Sequence, residues 1–483
     1  MIGLLLFLSG SRILWMDTFR NLTDTQIKNG QLDLRDWHAQ EGEVLLLDGE
    51  WEFYPSQLMM DPEGLMNASD GPKKLVQVPG RWNEEFQDGK STPYGYGSYR
   101  LRLYVNKSEM LNYSIYVPSV RSSSQVFVNG RLLAGSGQVE KTKDEYTAKN
   151  LPYLSTFTAD EDGVIDIVIQ AANFKDARRS GIIRSVKFGS EAAISKERNF
   201  SLSLQVLASV IFFLHSIYAL VLYFLGNREK KLLYFSLLLF CITLMNLISN
   251  DEKLFHLLFD VGYEWDFRLA NILVPIAGLA LVQCMDHRSL PYWRLMNPVY
   301  SVIAMGTAIV TLFLSSSQII MLFPVYYLLA GFAVAVSLIT IFKKIYRNFT
   351  GNVLLLLSLL IVAHHFAWMI FWRETGVSVV HYPFDLILSI GCFASIWFKD
   401  YFTMHAETAK LAVQLQKVNE HKDQFLTNTS HEFKNPLHGI INMSQSVLKR
   451  ERNLLKTKSV HELETILTVG RRMSLLLNDL LDL

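Results

Sequence analysis

The sequence predicts a multidomain membrane protein with three folded parts: an all-β jelly-roll sandwich, a bundle of seven transmembrane helices and a C-terminal α-helical hairpin. Residues from about 20 to about 190 alternate with the period of short strands. Beyond Arg198 the chain forms long apolar runs close to the length that crosses a bilayer. After Lys399 it becomes charged and amphipathic, with helical spacing. These three patterns set the order of the parts along the chain.

The composition supports a membrane protein and argues against a nucleic-acid-binding one. Half of the 483 residues are hydrophobic, which favours a membrane protein over a large soluble enzyme. The 46 basic and 45 acidic residues leave a net charge of +1, so no overall field attracts nucleic acid. Because Cys241, Cys284 and Cys392 all lie in apolar runs, we expect no disulfide bond in an exported domain.

Residues 1–19 are predicted to be an export signal or an uncleaved N-terminal anchor. The apolar run Ile2–Leu8 is followed by small residues and then by a second apolar group, Ile13–Trp15. Basic residues that usually precede such a run are missing, which leaves a buried terminal strand as the alternative.

Residues 20–198 are predicted to form one extracytoplasmic all-β domain. Ser98–Val105 alternates in strand period, and Gln125–Val128 ends in Asn129-Gly130, a dipeptide typical of two-residue hairpin turns. Val164–Ile169 continues a series of strands that are spaced as in a β-sandwich.

Four short stretches of this domain resemble the galactose-binding type of jelly roll, which occurs in glycosidases and in the extracellular part of some bacterial receptors. They are Gly49–Phe53, Val78–Trp82, Gly95–Arg100 and Val126–Gly130. The resemblance implies a carbohydrate ligand.

The candidate residues for this ligand are Trp82, Tyr94, Tyr96 and Arg100. Exposed aromatic rings can stack on a sugar face, whereas Trp51 is expected in the core. No pair of acid and base carboxylates stands out in this part of the sequence, which favours binding over hydrolysis.

Residues 199–400 are predicted to hold the seven transmembrane helices. An odd number of crossings puts the C-terminal segment in the cytoplasm if the β domain is outside. Basic residues are concentrated in the loops on the predicted cytoplasmic side, which supports this orientation. The seven apolar runs are Leu202–Leu225, Leu232–Ser249, Leu269–Cys284, Val299–Leu314, Ile319–Phe342, Val353–Phe371 and Pro383–Phe398.

The order of sandwich, seven helices and cytoplasmic module resembles that of bacterial seven-transmembrane receptors with diverse intracellular signalling modules. It implies a multi-pass protein of the bacterial plasma membrane, in contact with lipid. A retinal-binding interpretation is disfavoured because Lys399 lies at the end of the last run. His215, His364 and His365 lie within the runs, where ionisable residues are costly, so a proton- or ligand-sensing role is an open alternative.

Residues 401–424 are predicted to be a signalling helix. No Pro or Gly interrupts Tyr401–His421, so one helix can continue from the last crossing. Such a rod can transmit a rotation or a shift of register, and a solvated linker helix is the alternative. Its apolar positions follow heptad-like spacing, interrupted by Lys422, and are Leu411, Leu415, Val418 and Phe425.

Residues 425–483 begin with a histidine-centred stretch, Phe425–Leu437. Its apolar residues recur at helical spacing and would face a partner helix, whereas His431, Glu432 and Asn435 fall on or beside the opposite face. A neutral imidazole is a competent nucleophile near pH 7, and an adjacent carboxylate can hold its tautomer. Pro436 is expected to bend or loosen the helix.

This stretch resembles the phosphoacceptor box of the dimerisation and histidine-phosphotransfer domain of bacterial two-component sensor histidine kinases. The resemblance implies that His431 is phosphorylated, that Glu432 orients or deprotonates its ring, and that Asn435 positions water for dephosphorylation. It also implies a response regulator receiver domain as partner, and ATP with Mg²⁺ bound by a downstream catalytic domain. No Gly-rich nucleotide loop or ATP-lid pattern occurs in this sequence, which predicts a chain truncated before that domain.

A second amphipathic helix follows a polar turn at Lys449–Asn453. Two such helices expose more apolar surface than they can cover alone, which predicts a homodimer joined by a four-helix bundle. Three alternatives stay open: a ligand-binding receptor or scaffold without kinase activity of its own, a transporter, and a pseudo-kinase. The apolar positions of the second helix are Val460, Leu463, Ile466, Leu467, Met473, Leu476, Leu477 and Leu480.

Overall fold

The structure, a computed structural model, divides into two compact units, Met1–Ser395 and Ile396–Leu483. The side chain of Leu480, one of the apolar positions predicted for the second helix of the hairpin, lies outside the part of the chain that the structure describes. The structure describes residues 2–19, 27–37, 43–61, 73–86, 91–107, 112–178, 180–225, 228–249, 251–285, 290, 292–347, 353–375 and 380–481.

The first unit begins with a helix and continues into a domain made mostly of strands. Helix α1 spans Ile2–Phe19, so the alternative of a buried terminal strand is wrong. An apolar run without strand alternation favours this result. The strands are β1 Gln31–Leu34, β2 Val44–Leu46, β3 Gly49–Pro55, β4 Lys74–Val78, β5 Gly95–Val105, β6 Tyr113–Val117, β7 Val120–Arg121, β8 Ser123–Val128, β9 Arg131–Ser136, β10 Tyr153–Phe157, β11 Val164–Asn173, β12 Gly181–Ile182 and β13 Lys187–Ser190.

Two larger sheets make up this β domain. The first has the order β4-β3-β5-β11-β8-β9, with β1 parallel to β5. The second has the order β10-β6-β13-β2, and a small sheet pairs β12 with β7. Leu101 and Ile167 of the first sheet share one buried cluster with Ile115 and Phe188 of the second. The two sheets therefore enclose a common core, as a sandwich does, while the jelly-roll topology stays a prediction.

Two local expectations for the β domain are confirmed. Trp51 is fully buried, and its indole nitrogen donates a hydrogen bond to the carbonyl of Leu47 over 3.0 Å. Asn129 and Gly130 join β8 to β9 with φ angles of 49° and 77°. Positive φ at both central positions is what a tight two-residue hairpin turn requires, and Asn-Gly adopts it at low cost.

The rest of the first unit is helical. The stretch Val353–His365 is a shorter apolar helix, so the count of seven crossings stays a prediction. Five helices of the described chain, α2, α3, α5, α6 and α8, are long and apolar enough to span a membrane. The helices are α2 Glu191–Phe224, α3 Lys230–Ser249, α4 Phe255–Leu258, α5 Tyr263–Gln283, α6 Trp293–Phe313, α7 Ser316–Met321, α8 Phe323–Arg347 and α9 Val353–Thr375.

One predicted apolar run is divided in the structure. The run Ile319–Phe342 was expected to be a single helix, but α7 ends at Met321 and α8 begins at Phe323. Pro324 explains the break, because proline has no N–H and restricts the residue before it. The start of this crossing therefore differs from the sequence prediction.

Two long helices carry the C-terminal part of the chain. Helix α10 spans Phe384–Glu451 without a break, and α11 spans Thr457–Leu481. Every residue from 401 to 425 is exposed within the single chain. The predicted signalling helix and the predicted helical hairpin are both helical. The turn predicted at Lys449–Asn453 begins later than expected, because α10 continues to Glu451 and α11 begins at Thr457.

Candidate functional site

The histidine-centred stretch lies within α10, and His431, Glu432 and Asn435 are all exposed. A helix turns by about 100° per residue, so Asn435 lies one turn from His431 on the same face and Glu432 lies beside it. The imidazole is thus open to a second molecule, as a phosphoryl acceptor requires. This placement agrees with the sequence prediction for all three residues.

Pro436 lies inside α10, and the helix continues through it. Proline has no N–H to donate, so the carbonyl of Glu432, four residues earlier, lacks its usual helical partner. The carbonyl one residue after His431 therefore lacks this i+4 hydrogen bond. The expected bend or loosening of the helix at Pro436 stays a prediction.

Buried residues on the opposite side of α10 hold the helical hairpin together. Leu437 packs close to α11 at Gly470, where an added Cβ would lie 2.9 Å from the side chain of Ile441. Lys434 Nζ donates to Asn478 Oδ1 over 3.4 Å. The small residue at Gly470 permits close packing of the two helices, which fixes the face that carries His431. In the hairpin part of α10, from Phe425 to Glu451, the residues with less than a tenth of their surface exposed are Ser430, Leu437, Ser444 and Leu448.

A second apolar stripe on each helix of the hairpin remains exposed. Phe433 is 57% exposed and Met443 is 68% exposed, although both are large apolar side chains. Spacings of three, four and seven residues place such positions on one side of a helix. The hairpin therefore offers a further apolar surface after its own core is formed. The members of this exposed stripe are Phe433, Ile440, Met443 and Val447 on α10, and Ile466, Val469, Met473 and Leu476 on α11.

The four residues predicted to bind a carbohydrate do not share one environment. Trp82 is fully buried, and its indole nitrogen donates to the carbonyl of Pro93 over 3.2 Å, so the expectation that it is exposed is wrong. Its ring lies 5.6 Å from that of Phe86 and 6.4 Å from that of Tyr99. The core of the domain therefore uses this ring, which cannot stack on a sugar at the surface.

The other three candidates remain accessible to different degrees. Tyr94 is 40% exposed, and Tyr96 is half-buried against a small apolar cluster. The guanidinium of Arg100 is paired with Asp166, with Nη2 and Oδ2 2.6 Å apart. A ligand role for these residues stays a prediction.

Charged side chains join the β domain to the helices of the first unit, and the sequence patterns do not reveal them. Tyr116 in β6 donates a hydrogen bond to Glu252, which follows α3, over 2.8 Å. Lys187 in β13 pairs with Glu197 in α2 over 2.7 Å. Burial raises the pKa of Glu252, while the hydrogen bond from Tyr116 and nearby positive charges act in the opposite direction.

A second polar contact lies at the start of α5. Tyr263 donates to Asp176 over 2.9 Å, and Arg178 pairs with the same carboxylate over 2.7 Å. Burial tends to raise the pKa of Asp176, but hydrogen bonds from Arg178 and its positive charge prevail and lower it to about 2. The β domain is thus tied to the helices through partners that are far apart in sequence.

The histidines within the apolar runs have separate surroundings. The ring Nδ1 of His215 lies 2.8 Å from the carbonyl of Ile211, one turn earlier in α2. His364 lies in a polar cluster with Asp385, and His365 is beside it. Among the described residues, no group of three or more His, Cys, Asp or Glu side chains could hold a metal ion.

Comparison with known proteins identifies one domain of the chain. Several solved glycosidase structures align with about a third of the chain, at low scores. A β-glucuronidase from Ruminococcus gnavus is 19% identical, with a TM-score of 0.23, and the alignment covers 30% of this chain and 29% of that one. A β-galacturonidase from Eisenbergiella tayi is 17% identical, with a TM-score of 0.22, over 31% of this chain and 24% of that one. No curated protein matches the sequence.

The chain thus spans less than a third of the length of these glycosidases. Residues 421–483 match the His Kinase A (phospho-acceptor) domain family. This match includes the exposed His431 and both helices of the hairpin. The C-terminal end of the chain, residues 421–483, is therefore a histidine kinase phospho-acceptor and dimerisation domain.

Proposed function

We propose that the chain is the sensing and phospho-accepting part of a transmembrane sensor histidine kinase in a two-component system, with His431 as the residue phosphorylated. The observation that carries this proposal is the exposed position of His431 within the matched phospho-acceptor domain. The neighbouring Ser430 is buried, so the helix presents His431 to a catalytic partner while its other face remains packed.

His431 acts as the nucleophile. A ring nitrogen forms a bond to the γ-phosphorus of ATP as the bond between this phosphorus and the ADP oxygen breaks, and the ring proton passes to a base. Glu432 holds the ring in the reactive tautomer and stabilises the positive charge that develops on it. The phosphoryl group then passes to an aspartate of a response regulator, and the imidazole is regenerated.

ATP and Mg²⁺ are bound by a catalytic domain of the family, and this chain supplies the acceptor. Two copies of the chain form a four-helix bundle, because the exposed apolar stripe of one hairpin is buried when it packs against the same stripe of a second hairpin. The heptad-like residues of the signalling helix, all exposed in the single chain, extend this contact toward the membrane.

The β domain is the input part, placed outside the bacterial plasma membrane by seven crossings. Five helices that meet the length and hydropathy of a crossing support this arrangement. The Tyr116–Glu252 and Tyr263–Asp176 contacts connect the β domain to the helices, so a conformational change on ligand binding can be transmitted through them. A carbohydrate is the proposed ligand class, with Tyr94, Tyr96 and Arg100 as the candidate binding residues.

The test is phosphorylation by labelled ATP in the presence of the catalytic domain of a histidine kinase. The wild-type chain should acquire an acid-labile label, and His431→Gln should abolish it. The matched control is His438→Gln, because His438 is an exposed histidine on the same helix. A label that persists in His431→Gln would refute the assignment, and a loss of label in both variants would indicate damage to the helix.

Asn435 is proposed to position the water that dephosphorylates a partner regulator. It lies one turn from His431, within reach of an acyl phosphate docked at that ring. Asn435→Ala should therefore slow the loss of phosphate from the regulator while phosphorylation of His431 stays within about twofold of the wild type. An equal loss of both activities would instead show a role in folding or docking.

A ligand-binding receptor without kinase activity is the second candidate. Its supporting observation is the continuous link between the β domain and the helices of the first unit. An unlabelled His431 in the presence of a competent catalytic domain would favour this candidate.

A further inference from the structure

Helix α1 contacts α2, α9 and the segment that leads into α10. The indole nitrogen of Trp15 donates to the carbonyl of Val380 over 3.2 Å, and its ring lies 5.9 Å from that of Phe200 in α2. Ser11 Oγ lies 3.0 Å from the hydroxyl of Tyr382, just before α10. These are specific contacts on one side of the helix.

The other side of α1 is apolar and exposed. Leu6, Phe7, Ile13 and Leu14 are between 56% and 68% exposed. A polar side facing neighbouring helices and an apolar side facing outward are what a helix at the edge of a membrane bundle requires. The distribution of these residues fits a helix that stays in the bundle.

The centre of the contact is an ion pair between Arg12 and Asp385. Arg12 Nη1 lies 3.2 Å from Asp385 Oδ2, and the two side chains are 10% and 0% exposed. His364 Nδ1 is 3.1 Å from the same oxygen, and His365 Nδ1 is 3.9 Å from it. Arginine carries its charge at every physiological pH, whereas a histidine does not.

The hydrogen bonds of His364 identify Arg12 as the counter-ion. Trp368 donates its indole N–H to His364 Nε2 over 2.9 Å, and an indole nitrogen can only donate. Nε2 is therefore an acceptor, so the ring is neutral and its proton is on Nδ1, where it donates to Asp385. A neutral ring cannot balance the carboxylate, and Arg12 supplies the positive charge.

Asp385 is in the first turn of α10, the helix that carries His431 46 residues later. We propose that α1 stays in the mature protein as a regulatory membrane helix, and that the Arg12–Asp385 pair clamps the first turn of α10 and thereby sets the phosphorylation of His431. The regulatory part rests on the proposed function, while the clamp itself does not. A displacement of α1 would leave a buried carboxylate without a counter-ion, which is costly in an apolar medium.

The first experiment measures the intact mass of the chain purified from membranes. A mass that includes residues 2–19 is expected. A mature chain that begins after Phe19 would overturn the proposal outright, because Arg12 would be absent from the protein.

The second experiment measures the clamp by thermal unfolding of the detergent-solubilised chain. Arg12→Gln should lower the melting temperature by about 5 °C or more, because it strands the Asp385 carboxylate. Adding Asp385→Asn to Arg12→Gln should restore most of the loss, since no unpaired charge then remains. Asp17→Asn is the matched control, as Asp17 is an exposed charge on the same helix, and it should leave the melting temperature unchanged. Equal melting temperatures for Arg12→Gln and the wild type would refute the clamp.

The third experiment measures the phosphorylation rate of His431 in membranes for the same variants. Arg12→Gln should change this rate by about fivefold or more, and Asp17→Asn should not. A destabilised Arg12→Gln variant with a wild-type rate would overturn the regulatory part. If the wild-type chain takes no label at all, the proposed function fails, and the thermal result still decides whether the clamp exists.

Discussion

The β domain and the C-terminal helical hairpin differ in how much of their large apolar side chains they bury. In the β domain Trp51, Trp82 and Phe188 are completely buried. In the hairpin Phe433 is 57% exposed and Leu476 is 59% exposed. Burial of apolar surface is the main favourable term in folding, so the β domain gains it within one chain while the hairpin leaves much of it to be gained elsewhere.

This difference separates a part that completes its own fold from a part that needs a second surface. The two sheets of the β domain enclose one core with members from both. In the hairpin, α10 and α11 pack closely near Gly470, and the exposed apolar stripe lies beside this contact. In the proposed function the first part is the input and the second is the output, so control would act on the association of the hairpin.

The largest expected effect is at the centre of the β domain. Trp82→Ala should destabilise the domain by about 3–5 kcal/mol, because it removes a fully buried ring and the hydrogen bond to Pro93. Thermal unfolding of the solubilised chain would measure the change. Tyr94→Ala, at an exposed aromatic residue of the same domain, should remain within about 0.5 kcal/mol of the wild type. Similar losses in the two variants would contradict the placement of Trp82 in the core.

The sequence predicted the kinds of element well, because periodicity and turn chemistry are local. The Asn129-Gly130 turn, the buried Trp51 and the helical hairpin are confirmed. The environment of Trp82 was predicted wrongly, since nothing local indicates that Phe86 and Tyr99 meet its ring.

The polar contacts between elements could not be predicted, because each joins positions far apart in the chain. Tyr116 and Glu252 are 136 residues apart, and Tyr263 and Asp176 are 87 residues apart. The exposed position of His431 could be predicted, because the spacing of the neighbouring apolar residues determines which face of the helix is polar.

The second-largest expected change in stability concerns the polar contacts between the β domain and the helices. The folded pKa of Asp176 is about 2, below its ordinary value of 3.8. Its contribution to stability, on the order of 2 kcal/mol, is therefore complete above pH 3.8 and is lost as the pH falls toward 2. Melting temperatures of the wild type and Asp176→Asn should converge over this interval. A constant difference between them would contradict the lowered pKa.

Glu252 should show the opposite sign. Its folded pKa is raised above 4.5 by burial, so its charged form costs stability above the folded pKa, and this cost is relieved as the pH falls toward 4.5. The wild type should therefore gain stability relative to Glu252→Gln on acidification. A relative loss over the same interval would contradict the raised pKa.

A smaller effect is expected at the exposed stripe of the hairpin. Phe433→Ala should weaken dimerisation of the chain by about tenfold while its melting temperature, measured below the dimerisation concentration, changes little. Sedimentation of the solubilised chain at several concentrations would measure the dissociation constant. Leu454→Ala is the matched control, because Leu454 is 86% exposed in the turn between α10 and α11. Dimerisation that is equally strong in both variants would exclude the stripe as the dimer contact.

The most direct test of the central claim, that the membrane part controls His431 through α10, uses insertions of one to four alanines between Glu407 and Leu411. Residues 401–425 are helical and exposed, so the insertions extend the helix without disturbing packing within the chain. Each residue turns the helix by about 100°, and four residues return it to within about 40° of its starting phase. The measurement is the phosphorylation rate of His431 in membranes. The account predicts a periodic change, with the four-residue insertion returning toward the wild-type rate, whereas a flat or steadily falling series would contradict it.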